Sequence, residues 1–172
     1  MILSVHFIAG AAITKIIPNK LIAYPLAFLS HFLLDALPHA DYSLRGISGG
    51  WKKKSFYLTI GNLILDVVAG IVFIIIFAAA FDNFDIKTAL IGGFFGVLPD
   101  FLNLASYLFH NKNFLFLIKG GQLTEIEEFK IKTQNRYYRF HHFIHNKSEP
   151  RGVNGILIQA FVFLIGLIVL MV

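Results

Sequence analysis

His31, Asp35 and His39 stand four residues apart in SHFLLDALPHAD, residues 30–41. On a helix, positions i and i+4 share a face, so His31 and Asp35 project to one side. A neutral imidazole beside a carboxylate is a donor set for zinc or another borderline divalent cation. Pro38 ends or bends the helix before His39, so His39 and Asp41 read as a solvated loop and the first pair as the site. Other residues able to do chemistry are His6 in the opening apolar stretch, Asp66 in GNLILDVVAG, and Asp100 in GVLPDFLNLAS with Asn103 one turn on. A last group, His141, His142 and His145, lies in NRYYRFHHFIHN. The chain has no cysteine, which leaves imidazole, carboxylate, amide and water as the only metal donors.

The elements that must position these residues follow from the solvent they live in. Of 172 residues, 56% are hydrophobic and 15% charged, against about 25% charged in a soluble domain. Apolar segments fall at about 2–17, 21–37, 56–81, 88–109 and 155–172. The third and fifth are each long enough to cross a bilayer. The first two are short and meet at Pro18-Asn19, a tight helical hairpin that is tilted or incompletely spanning. The expected fold is all-α: a single domain over 1–172, an integral membrane bundle of four to five helices, with an interfacial insertion at about 110–154. The opening MILSVHFIAGAAITKIIP lacks a basic leader region and reads as a retained helix. Within the insertion, Thr124 and Glu127 match a capping box. Ile126, Phe129, Tyr137, Phe140 and Ile144 recur at helical intervals, which predicts an amphipathic helix lying on the membrane surface.

Charge sets the expected orientation. Arg45 and Lys52 to Lys54 sit in one long loop, eight Lys/Arg against four Glu lie between 110 and 154, and the short DNFDIK turn carries two acids and one base. Both long loops are therefore expected in the cytoplasm, with Lys15 and Lys20 counting against. Under this topology His6, His31, Asp35, Asp66, Asp100 and the histidine cluster share one half of the bilayer, Asp66 about 15 Å inside its helix. An ionisable group at such depth needs a cavity and a partner. Pro99 also frees a backbone carbonyl there, while Gly92, Gly93 and Gly96 permit close helix approach.

The early His6, the SHFLLD and LPD motifs and the compact cluster of His141, His142 and His145 resemble the YdjM-type inner-membrane proteins. More distantly, HxxxD with a later histidine is similar to the zinc-dependent phospholipase C group. The chain departs from the first pattern where Phe101, Leu102 and Asn103 follow LPD in place of a further Asp-His. The resemblance implies an inner-membrane, metal-dependent hydrolase.

No GxSxG elbow, Walker loop or cysteine nucleophile is present, so metal-assisted hydrolysis is the leading reaction class. One or two divalent ions, zinc favoured, are expected on His6, His31, Asp35, Asp66, Asp100, His141 and His145, with Asp66 or Asp100 as the catalytic carboxylate. The expected substrate is a phosphate-bearing lipid or other amphiphile at the cytoplasmic side, its phosphate met by Arg136 or Arg139. The rivals are a small metal- or proton-handling carrier and a non-catalytic scaffold bound to anionic lipid. Membrane lipids are the expected partners; nucleic acid is not.

Overall fold

The computed structural model describes residues 2–39, 47, 50–81, 84–109, 135–146 and 153–171, the side chains at 107, 108 and 146 excepted. Six helices are found among them: α1 Leu3–Ile16, α2 Lys20–Asp35, α3 Lys54–Ala80, α4 Ile86–Phe109, α5 Arg136–Asn146 and α6 Val153–Met171. No strand occurs among the described residues.

α1 is the central helix. Its sequence is apolar on every side, the pattern of a helix enclosed by others, and α2, α3, α4 and α6 all pack against it. Leu3, Phe7, Ile8, Ala11 and Ala12 are buried along it and join Ile74 and Phe77 of α3, Ala89 and Val97 of α4 and Leu170 of α6 in one core. The α1–α4 contact is backbone against backbone. A Cβ on Gly10 would land on the Gly92 carbonyl, and one on Gly96 would land on the carbonyl of His6. The glycines of GGFFG are thus what lets α4 press onto the first helix.

α3, α4 as far as Ser106, and α6 are long and apolar enough to cross a membrane. α1 and α2, with 14 and 16 residues, reach about 21 and 24 Å at 1.5 Å per residue, short of a hydrocarbon core of about 30 Å. They form the expected hairpin. Asn19 caps α2 by accepting from Leu21 N at 3.0 Å, and Lys20 Nζ donates to Thr14 O at 3.0 Å, closing the C-terminus of α1. Lys15 sits 5.5 Å over the Phe84 ring. The two lysines that count against the orientation therefore have local partners.

Thr14 Oγ1 reaches Thr88 O at 3.3 Å, so the α1–α2 turn and the start of α4 share one end of the bundle. The opposite end gathers the start of α1, the C-terminus of α2, the later part of α4, and α5. Outward, Leu21, Leu33, Leu65 and Phe161 are each more than 60% exposed and have many apolar neighbours. So large an apolar surface is foreign to a soluble monomer and suits lipid. The capping box at Thr124, with Ile126, Phe129 and Asp41, lies outside the described residues.

Candidate metal centre

α2 carries the first two ligands. His31 and Asp35, one helical turn apart, are 0% and 1% exposed, with His31 Nε2 3.0 Å from Asp35 Oδ2. Their face turns inward because α1 and α4 pack on it. The His31 ring stacks on that of His6 with centroids 4.1 Å apart, and His6 Nε2 lies 3.0 Å from Asp35 Oδ1. His6 thereby grips the outer oxygen of Asp35 and leaves Oδ2 facing the cluster.

α4 contributes Asp100 and a carbonyl. Pro99 has no N–H, so the Phe95 carbonyl loses its helical donor. One residue on, the Gly96 oxygen accepts from His31 Nδ1 at 3.0 Å. A carbonyl can only accept, so Nδ1 carries the proton and the lone pair of the neutral ring sits on Nε2. Asp100 follows directly, its side chain 27% exposed and its Oδ1 3.7 Å from His31 Nε2.

α5 closes the group. His141 is buried, and its Nε2 stands 3.1 Å from His31 Nε2, 3.2 Å from Asp100 Oδ1 and 3.7 Å from Asp35 Oδ2. Tyr137, one turn earlier, donates to Pro99 O at 3.0 Å and pins α5 beside Asp100. Burial, with the Asp100 charge nearby, pushes the Tyr137 phenol up to about 12, which keeps it a donor at neutral pH. Phe140 meets Phe32 edge-on at 5.4 Å, a second tie between α5 and α2.

His31, Asp35, Asp100 and His141 thus bring four ligand atoms within 4.8 Å of one another. The five separations given above run from 3.0 to 3.7 Å. Four ligands held tetrahedrally at about 2.0–2.1 Å from zinc lie about 3.3–3.4 Å apart. The centre of the group is faced by the Nε2 lone pair of His31 and by carboxylate oxygens, which repel unless a cation lies between them. The residues present therefore fit a divalent ion. A second group, Asp35, His39 and His145, meets the same distance condition.

The expected ligands are sorted by this geometry. His31, Asp35, Asp100, His141 and His145 come together. His6 belongs to neither group and acts through Asp35. Asp66 lies in neither group: its Oδ2 accepts from the backbone N–H of Leu3. Leu3 and Ser4 are buried at the start of α1, and a carboxylate there satisfies a donor and complements the positive end of the helix. His142 is exposed beside Tyr138, and Asn103 Oδ1 is buried with no partner among the described residues and lies in neither group. His39 is a correction. Read as loop, it is only 6% exposed, and burial holds its imidazole below the usual histidine range. Arg136, Arg139, Phe140 and Phe143 line an open depression on the outer side of α5.

Among the described residues, fold and site define an all-helical arrangement with three helices long and apolar enough to cross a membrane and a His/Asp group that could hold a metal ion. Comparison with protein-family models, characterised proteins and solved structures found no match.

Proposed function

We propose that the chain is a membrane-embedded, zinc-favouring, metal-dependent hydrolase whose site opens to the cytoplasm and whose substrate is a phosphate-bearing lipid or similar amphiphile. The observation that carries this reading is the set of four ligand atoms from α2, α4 and α5, held within 4.8 Å of one another at one end of the bundle. Two imidazoles with carboxylates favour zinc over magnesium or calcium, which prefer all-oxygen shells. The YdjM-type resemblance belongs to the same proposal, supported by the convergence of residues from SHFLLD, LPD and the histidine cluster.

A bound divalent ion would supply acidity to water and charge to a phosphoryl oxygen. The chain's own residues do the rest. His31, Asp35, His141 and Asp100 Oδ1 would hold the ion, and His6 keeps Asp35 turned inward. Asp100 is the more accessible carboxylate. Its second oxygen, Oδ2, takes the proton of the attacking water and passes it to the leaving oxygen as the ester P–O bond breaks. Arg136 and Arg139, exposed with Phe140 and Phe143 on the outer side of α5, draw anionic headgroups to this end of the bundle. Arg136, Arg139 and Lys52 to Lys54 at this end of the bundle support a cytoplasmic placement. Clustering of the ligands at one end favours a site over the conduit a carrier needs, and a lipid-bound scaffold has no use for buried ligands.

The test is metal analysis of the full chain purified in detergent, with phosphate release from phosphatidic acid vesicles. Bound zinc, and turnover lost to chelator and to Asp100→Asn, is expected. Purified protein that binds no divalent metal would overturn the reading.

A further inference from the structure

We propose that Asp35, His39 and His145 form a second divalent-cation site adjoining the first, with the Asp35 carboxylate shared between two ions. The inference rests on the metal reading above and extends it to a dinuclear centre.

The ligand atoms of the three residues lie within 4.8 Å of one another. His145 Nε2 is 2.8 Å from Asp35 Oδ2, the same oxygen that stands 3.0 Å from His31 Nε2. Oδ2 is therefore approached both by His31 and His141 of the first group and by His145 of the second. Its partner Oδ1 is held by His6, so the carboxylate cannot swing away to serve one set alone. The His39 and His145 rings meet with centroids 5.0 Å apart at 71°.

His39 is oriented for this task by its own turn. Its Nδ1 donates to Leu37 O at 2.7 Å, so the neutral ring keeps its lone pair on Nε2. Pro38 fixes the chain between donor and acceptor and folds His39 back over the end of α2 instead of letting it follow the loop outward. A ligating histidine whose second nitrogen is anchored on a backbone carbonyl is the usual arrangement of a metal ligand, and His31 on Gly96 shows it in the first group. Two independent turns thus orient two imidazoles around one carboxylate.

Three protein ligands leave room for water or substrate, as catalytic zinc sites do, whereas four close a site. His145 is 17% exposed at its side chain, and with one protein ligand fewer than the first group the second position keeps a coordination place for water or substrate. Paired ions about 3.5–4 Å apart clamp the attacking and leaving oxygens of a phosphate ester. The cations that fit are first-row divalent ions that accept nitrogen, zinc or manganese among them.

The experiment counts ions per chain in the full-length protein. Metal-free protein in detergent is titrated with zinc chloride and bound zinc is measured after gel filtration. In parallel, manganese-loaded protein is examined by electron paramagnetic resonance for exchange coupling between neighbouring ions. Two ions in the wild type and one in His39→Ala, with the coupling lost, is the expected result. His145→Ala should do the same, which guards against a folding defect in one variant. One ion in the wild type, or two in His39→Ala, would overturn the second site and leave the first standing. Both variants losing both ions would overturn the division into two sites, and no ion in the wild type would remove the parent reading with it.

Discussion

His31 and Gly96 are joined by a 3.0 Å hydrogen bond from the imidazole Nδ1 to the backbone carbonyl, and the same glycine lets α4 touch α1 at the His6 carbonyl. One residue of α4 thus sets both the tautomer of a ligand and the spacing of the helices around it.

Gly96→Ala tests this directly. The added Cβ would meet the His6 carbonyl, so α1 and α4 must separate, and overpacking of this kind costs about 1–3 kcal/mol. Thermal unfolding in detergent should show that loss, together with reduced zinc at the first site. Gly61→Ala on α3 has nothing within 4 Å and should leave metal content unchanged while gaining up to about 1 kcal/mol of helix propensity. Equal metal retention in the two variants would detach Gly96 from the site.

Asp66 separates capping from ligation. Asp66→Ala removes the acceptor of the Leu3 N–H, and loss of an N-terminal cap costs about 1 kcal/mol. Metal bound per folded chain should stay at the wild-type value, with Asp66→Asn intermediate in stability. A loss of metal as complete as that of Asp35→Asn would return Asp66 to the centre.

The sequence made the helices legible because hydropathy and length suffice to mark a span. It also showed that His31 and Asp35 share a face and that the unusual polar residues crowd one end. The contact of Asp66 with Leu3 N–H was not legible, because an isolated intramembrane carboxylate looks alike in sequence whether it binds a metal or accepts from the first N–H groups of another helix. His39 was misread because a proline breaks the helical period, yet the turn it imposes returns the ring to the site. Gly96 and Tyr137 enter through backbone carbonyls, which leave no side-chain pattern to read.

Asp85 makes the stability depend on pH at the far end of α4. The Thr88 hydroxyl and N–H hold its carboxyl below the ordinary value of 3.8, the N–H reaching Oδ1 at 3.0 Å. Because the folded value is depressed, the contribution is complete above 3.8 and is lost as pH falls through the lower folded value. Asp85→Ala should cost about 1 kcal/mol near neutral pH, the usual worth of a cap. The gap to wild type should shrink as pH falls below 3.8 and through the lower folded value, and a gap constant over that range would reject the assignment.

Orientation is open to labelling, since the chain has no native cysteine. Lys52 and His142 are exposed at the site end and Lys87 at the other. In intact cells an impermeant maleimide should modify Lys87→Cys and spare Lys52→Cys and His142→Cys. The reverse pattern would put the site outside the cytoplasm, and different outcomes at Lys52 and His142 would break the bundle arrangement itself.

Asp35→Asn decides between a metal and a shared proton as the cation at the centre. An imidazolium–carboxylate network would also reconcile His31, His141 and the two aspartates. The amide nearly preserves the shape of the side chain and can still hydrogen-bond to His6, but it removes the charge on which both ligand groups converge. If protons alone fill the centre, neither protein contains metal, and loss of a buried charge leaves stability equal or raises it. If Asp35 is the shared ligand, the variant should lose nearly all of its zinc and the stability that binding adds. His6→Ala, which removes only the residue gripping Oδ1, should weaken zinc binding by about 10–100-fold without abolishing it, as loss of an outer partner does. Zinc content, affinity by chelator competition and thermal stability of all three proteins give the answer. Undiminished zinc in Asp35→Asn would exclude Asp35 as a ligand and with it the bridge between the two groups.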